Sequence, residues 1–261
     1  MRDLRLTFDE DPVVYDRVRP SYPEQLFEDL RRFVGPGDRL RVCEIGAGTG
    51  KATASLLANG AAVTAVEIGP GMAAFLRRKF ADNPSLTVVG APFETADLGG
   101  GSFDLIVAAT AWHWLDPQVR LARAASLLRE PGALAIIDTN QVESGADRGY
   151  FAASQVIYRK YEDSEPPALP GPETVVPDVF GELTESRLFE EPALLRYRWD
   201  QTYTRRDYED LMRSYSNMRA MGIGDRENLI ADLGALIDKN YGGLVTRPLV
   251  VTLVVASTAG S

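Results

Sequence analysis

Three glycines at alternate positions, Gly46, Gly48 and Gly50, follow the short apolar run Val42-Cys43-Glu44-Ile45 and lead into a helix-forming stretch. A strand, a tight turn and a helix is the simplest chain path through such a pattern. Glycine is needed where backbone turns sharply, takes a positive φ, or lets a ligand lie against it with no Cβ in the way. The turn is therefore expected to be touched by a ligand.

The spacing that follows narrows the ligand. Helix formers run from Ala52 to Ala58, Asn59-Gly60 closes the helix, and Ala61 to Val66 reads as a second strand ending in Glu67. Strand, Gly-rich turn, helix, strand and terminal acid make a nucleoside-binding half of a doubly wound sheet, with the acid placed to hold a ribose diol. Glu67 lies about 20 residues past the first glycine, as that geometry requires. Two cofactors compete for such a turn. The dinucleotide fingerprint is G-x-G-x-x-G, whereas here Gly46-x-Gly48-x-Gly50 is preceded by Glu44, whose carboxylate would repel a pyrophosphate. S-adenosylmethionine has no phosphate, and its ammonium and sulfonium are tolerated by an acidic, carbonyl-lined turn.

On these residues the chain resembles the class I S-adenosylmethionine-dependent methyltransferases, in their small-molecule, type 11 or trans-aconitate methyltransferase-like branch. Their first motif looks like Val42 to Gly50. The resemblance implies a Rossmann-like, doubly wound α/β sheet of seven strands, the last antiparallel, with an inserted helical lid. It implies S-adenosyl-L-methionine as cofactor, with the turn around its methionine and ribose portions, Glu44 beneath the amino end and Glu67 on the ribose hydroxyls. The segment Tyr15-Asp16-Arg17-Val18-Arg19-Pro20-Ser21-Tyr22-Pro23 is similar to one that folds over the cofactor in that family. Arg19 would then face the methionine carboxylate, with Tyr15 or Tyr22 near the sulfonium. The bland alternative is a packing arm whose arginine pairs with an aspartate.

Further matches follow in order. A helix from Glu24 through Leu26, Phe27, Leu30 and Phe33 ends at Gly35-Pro36-Gly37, and after Glu67 a helix from Met72 to Phe80 precedes a third strand, Leu86 to Val89. Gly90-Ala91-Pro92-Phe93-Glu94 then stands where the adenine would lie, and Phe93 either packs on the base or belongs to the core. Pro92 replaces the polar residue common at that place. The fourth strand, Phe103 to Ala109, runs into Thr110-Ala111-Trp112-His113-Trp114, similar to the branch's aromatic-His-Trp motif. His113, the only histidine, is the catalytic candidate, either a pocket wall or a general base. A helix from Leu121 to Leu128 and a strand from Ala133 to Asp138 complete the expected cofactor-binding half.

Beyond Asp138 the alternation breaks. Tyr150, Phe151, Tyr158 and Tyr161 mark an expected helix, and the Pro-rich run Glu165 to Pro177 follows. A strand from Leu194 to Tyr203, a helix from Arg206 to about Ala220, another from Glu227 to Tyr241 and a last strand, Leu249 to Ala256, are expected to close the fold. Arg196-Tyr197-Arg198-Trp199, Thr202-Tyr203 and Tyr215-Ser216 resemble the last third of the branch. The expected division is an arm and helix over the cofactor (1–36), a cofactor-binding core (37–139), a lid (140–189) and the rest of the sheet with its helices (190–261). Cofactor contacts are carried over to Tyr15, Arg19, Glu44, Gly46, Ala47, Gly48, Gly50, Glu67, Ile68, Pro92, Phe93 and Ala109, and acceptor contacts to Tyr22, Trp112, Trp114 and Tyr150.

The chain of 261 residues suffices for one large α/β domain with an elaboration. A net charge of −9 disfavours nucleic acid or an anionic membrane as partner, since these are bound by neutralising phosphates. The single cysteine, Cys43, allows no intrachain disulfide, as expected of a cytoplasmic protein. Met1 to Arg5 lacks a signal-like apolar run, so a soluble monomer or homodimer is expected. Methyl transfer to a small-molecule acceptor is the leading reading. No metal is expected: the strand-four loop lacks the carboxylate of a Mg²⁺-assisted site, and Asp138 and Asn140 read as strand-end polar residues. The alternatives are an NAD-dependent oxidoreductase, which lacks its glycine spacing here, and a catalytically inactive cofactor-binding regulator.

Overall fold

The structure is a computed structural model that describes residues 11–35, 39–161 and 168–260. The readings at Met1 to Arg5, at Pro36-Gly37 and at Glu165 to Pro167 lie outside the described residues. Seven strands form one sheet in the order β3-β2-β1-β4-β5-β7-β6. They are β1 (Arg41–Ile45), β2 (Ala62–Val66), β3 (Leu86–Val89), β4 (Phe103–Ala109), β5 (Leu128–Gln141), β6 (Ala193–Thr204) and β7 (Leu244–Ser257). The first five pair in parallel, with Ile45 beside Val66 and Ala108, and Ala109 beside Ile137. The last strand enters between β5 and β6 and runs antiparallel: Thr258 N–H donates to the Gly132 carbonyl and Val142 N–H to that of Pro248.

The chain divides into two compact units. Among the described residues unit 2 comprises 21–35, 39–139, 176–197 and 251–260. Parallel strands covered on both faces must be apolar throughout, and Val42, Cys43, Ile106, Val107, Leu134 and Ile137 are all fully buried. Each such aliphatic side chain contributes roughly 1.5–3 kcal/mol of transfer free energy. Helix α2 (Glu24–Val34) buries Leu26, Phe27 and Leu30, one stripe of a helix that is otherwise charged. The glycine turn is followed by α3 (Lys51–Ala58), and α4 (Pro70–Lys79) and α5 (Arg120–Leu127) join the later strands. A further helix, α7 (Asp178–Glu185), buries Val179 and Leu183 in this unit's core. The sequence reading has no helix there.

Among the described residues unit 1 comprises 11–20, 140–161, 168–175 and 198–250, so the segment 140–189 is shared between the units. Its core joins Val18 of α1 (Pro12–Val18), Tyr150 of α6 (Tyr150–Tyr158), Tyr208, Leu211 and Met212 of α8 (Arg205–Arg213), and Leu229, Ile230, Leu233 and Ile237 of α10 (Ile223–Tyr241). The short α1 is capped by Asp11, whose side chain accepts the Val14 N–H, with Pro12 in the first turn. The single helix expected from Arg206 to Ala220 is two, α8 and α9 (Ser216–Ala220). Between them the Ser214 hydroxyl donates back to the Leu211 carbonyl at 2.6 Å, and Tyr215 takes an extended conformation. A hydroxyl competing for a helix carbonyl weakens the last turn.

Candidate active site

The glycine turn lies at the carboxyl ends of β1 and β2 in unit 2. Gly46 and Ala47 N–H groups both donate to the Val66 carbonyl, at 2.8 and 3.3 Å, tying the turn to the neighbouring strand. Gly46, Gly48 and Gly50 all have positive φ, at 63°, 55° and 82°. Their surroundings differ. A Cβ on Gly46 would lie 2.6 Å from that of Ala111, and one on Gly50 would meet Leu76 and Phe80, but one on Gly48 would meet nothing within 4 Å. Gly48 therefore presents bare backbone on an open side.

Glu67 directly follows β2 and is buried. Its two oxygens accept the N–H groups of Gly48 and Gly69, each at 2.7 Å. Its carboxylate thus links the glycine turn to the residues that start α4, and Ile68 is held, half-buried, between them. Glu44 lies fully beneath the turn, where the Thr53 hydroxyl donates to it at 2.5 Å. Burial pushes the Glu44 carboxyl up to about 8, against the opposing bonds from Thr53.

A stability consequence follows from counting protons. The folded chain keeps the Glu44 proton up to about pH 8, whereas an unfolded one releases it near the ordinary value of 4.5. Stability is therefore expected to fall as pH rises through that window and to level off above it. Glu44→Gln, which keeps the shape and the bond from Thr53, is expected to flatten the slope; urea unfolding at several pH values measures it, and an unchanged slope would refute the assignment.

At the end of β4, Thr110 has φ 52°, an outlier for a β-branched residue. Its N–H donates to the Ile137 carbonyl at 2.7 Å and its hydroxyl to that of the half-buried Ala109 at 2.8 Å. The Tyr22 hydroxyl stands 3.3 Å from the same Thr110 oxygen. The sequence reading missed Thr110, and no local signal marks it. The 3-10 turn Trp112–Trp114 follows. Trp112 is buried: its indole N–H donates to Glu182 at 3.2 Å, and Arg120 forks onto that carboxylate at 2.9 and 2.7 Å while lying over the ring. His113 is exposed, with its ring 5.0 Å from that of the half-buried Trp114. Desolvation lowers the pKa of His113 despite the opposing charge of Asp138, and desolvation raises that of Asp138, with His113 opposing. The balance favours the uncharged imidazole.

Phe93 is buried in the core cluster beside Ile45, Val66 and Ile106, and Pro92 next to it is half-buried. Tyr15, Arg19 and Tyr150 belong to unit 1. Tyr150 is fully buried there, edge-on to Tyr208 and Tyr241 at 5.4 and 5.3 Å. Arg19 donates to Ser214, whereas its neighbour Arg17 is the arginine that pairs with aspartates, Asp207 and Asp210. Among the described residues no cluster of three or more His, Cys, Asp or Glu could hold a metal ion, and no helix is long and apolar enough to cross a membrane.

The family model described as "Methyltransferase domain" matches residues 43–136. An uncharacterized methyltransferase of Mycobacterium tuberculosis is 36% identical over 136 residues, 52% of this chain and 53% of that protein. Human thiol S-methyltransferase TMT1A is 30% identical over 124 residues, 46% of this chain and 50% of its own length. The chain thus spans about half the length of these curated relatives. Among solved structures, phosphoethanolamine N-methyltransferase 2 of Haemonchus contortus, in complex with S-adenosylhomocysteine, has a TM-score of 0.55 over 97% of this chain and 58% of that one, at 15% identity. That likeness is one of fold. The matched residues start in β1 and take in the glycine turn, Glu67 and strands β2 to β4, so over this stretch the chain is similar to methyltransferase domains.

Proposed function

We propose that the chain transfers a methyl group from S-adenosylmethionine to a small-molecule acceptor. The observation that carries this reading is the open side of Gly48, whose N–H is held by the carboxylate that directly follows β2. Bare backbone beside an acid is what a nucleoside needs: a flat approach and a strong acceptor for its diol. When bound, the cofactor supplies a methyl group on a sulfonium, activated for displacement. Glu67 orients the ribose end, and the turn residues Gly46, Ala47, Gly48 and Gly50 follow the methionine portion. The chain then contributes alignment of donor with acceptor and exclusion of water. Titration with S-adenosylhomocysteine and NAD tests the cofactor half. Saturable binding of the first and none of the second is expected; the reverse would overturn the reading. Methyl transfer from labelled cofactor across a panel of metabolites tests the acceptor half.

His113 serves in this reading as a wall of the acceptor pocket, beside Trp114. A wall residue contributes binding through contact and about one hydrogen bond, worth roughly 0.5–1.5 kcal/mol. His113→Asn is therefore expected to raise the acceptor KM roughly 3–10-fold and to leave the pH profile of single-turnover transfer unchanged. Loss of a sigmoid limb from that profile in the variant would make His113 a base instead.

A further inference from the structure

In sequence Trp112-His113-Trp114 reads as one aromatic surface, but unit 2 divides it. Trp112 is 3% exposed and belongs to the core cluster, whereas His113 is exposed and Trp114 half-buried. Trp112 is held at both its polar ends. Its indole N–H donates to Glu182 Oε2 at 3.2 Å, and its carbonyl accepts from Arg120 Nη1 at 3.0 Å. The two holders are joined to each other. Arg120 donates from Nε to Glu182 Oε1 at 2.9 Å and from Nη2 to Oε2 at 2.7 Å, with its guanidinium 5.2 Å from the centre of the Trp112 ring.

The side chains of Arg120 and Glu182 are only 16% and 21% exposed, so water screens the pair little. A planar two-bond fork leaves neither partner free to swing. Glu182 stands on α7, which buries Val179 and Leu183, and Arg120 opens α5, which buries Ala124 and Leu127. Both holders are therefore fixed by the core. On its other side the same turn meets the glycine turn, since a Cβ on Gly46 would lie 2.6 Å from that of Ala111, the residue before Trp112. Thr110, one residue earlier, keeps its φ of 52°. Such a conformation persists only where the surroundings impose it.

We propose that the Arg120–Glu182 pair is a clamp that sets His113 and Trp114 against the glycine turn, with Trp112 as the handle it grips and α7 as its base. This rests on the methyl-transfer reading above, in which His113 walls the acceptor pocket. Trp112 is then an anchor and makes no acceptor contact, and Arg120 and Glu182 are positioning residues. Alignment of donor with acceptor is the protein's main contribution to this chemistry, and a displacement of about 1 Å can cost about 10²-fold in rate. Loss of the clamp therefore acts on the transfer step, while Glu67 keeps its hold on Gly48 and Gly69.

Replacing both partners of a shielded ion pair by apolar residues of similar volume is often neutral in stability. The double variant Arg120→Met, Glu182→Met thus separates a clamp from a pair that only stabilises: it should melt close to the parent and still lose the position of the turn. Trp112→Phe removes the indole bond, changes no charge and leaves the pair in place. His113 is the only histidine, so its Cε1 proton resonance reports on the turn in the full chain without any cofactor. Besides desolvation, the charges that bear on His113 are Asp138 from β5 and Arg120 from α5. In the parent a single sharp resonance is expected, titrating below the ordinary histidine value. In both variants it should shift and broaden, and its midpoint should rise toward about 6.5. A parent-like resonance in either folded variant overturns the proposal; if the double variant does not fold, Trp112→Phe decides alone. With an acceptor returned by the labelled-cofactor panel, kcat of the double variant should fall about 10–10²-fold, while the S-adenosylhomocysteine Kd from calorimetry stays within about twofold of the parent's. A parent-like kcat beside a displaced His113 resonance overturns the positioning role. A parent chain that binds no S-adenosylhomocysteine overturns the methyl-transfer reading, and the His113 resonance still decides the clamp.

Discussion

Glu67→Ala is expected to weaken S-adenosylhomocysteine binding about 10²-fold or more and also to lower stability. The affinity loss would come from the two charge-assisted hydrogen bonds proposed from Glu67 to the ribose, worth roughly 1.5–3 kcal/mol each before non-additivity. The stability loss comes from the structure: the same carboxylate holds the N–H groups of Gly48 and Gly69. Removing it leaves those two donors without their acceptor, at roughly 1–3 kcal/mol for each that is shut away from water. A chain of this size loses about 2–4 °C of Tm per kcal/mol, so the buried Gly69 donor alone implies a fall of about 2–12 °C. Calorimetry with S-adenosylhomocysteine and a thermal melt of the same samples separate the two effects. A lowered Tm with unchanged affinity would leave Glu67 as a brace for the turn and remove it from the cofactor site.

The features legible in the sequence are those that local chemistry dictates. Strands β1 to β4 are short, largely apolar runs, and each falls within a residue or two of its expected range; β1 and β4, buried nearly throughout, tolerate little else. The place of Glu67 directly after the second strand was legible from its spacing to Gly46. The contact of Arg19 with Ser214 was not: the two are 195 residues apart, and no periodicity records such a contact. The break between α8 and α9 was missed for the same reason, since Arg206 to Ala220 contains no glycine or proline and the break comes from the Ser214 hydroxyl and the contacts around it. Asp11-Pro12 was a readable helix start that the tyrosines and prolines after it obscured. Thr110 had no signal at all, because its positive φ is imposed by the end of β4 and the bond to Ile137.

The glycine turn itself offers the sharpest division between fold and ligand. Gly50 and Gly48 look alike in sequence, and both have positive φ. An alanine Cβ at position 50 would lie 2.4 Å from Leu76 Cδ1, 2.6 Å from Phe80 Cε2 and 3.3 Å from the Thr53 hydroxyl that holds Glu44. Leu76 is fully buried and has no room to withdraw. Gly50→Ala therefore combines left-handed backbone strain of roughly 1–2 kcal/mol with an overpacking cost of roughly 1–3 kcal/mol. The expected Tm loss is about 5–15 °C. Gly48→Ala meets no protein atom within 4 Å, so it should show the backbone term alone and melt about 2–8 °C below the parent. Its methyl would instead stand on the open side of the turn, where the cofactor is proposed to lie, and S-adenosylhomocysteine affinity is expected to fall at least about tenfold, as a clash of roughly 1.4 kcal/mol or more requires. Thermal melts and calorimetry on both variants test the division. A Gly48→Ala chain that melts lower yet binds as tightly as the parent would mean that the open side of Gly48 faces no ligand, and the cofactor site would have to be sought elsewhere.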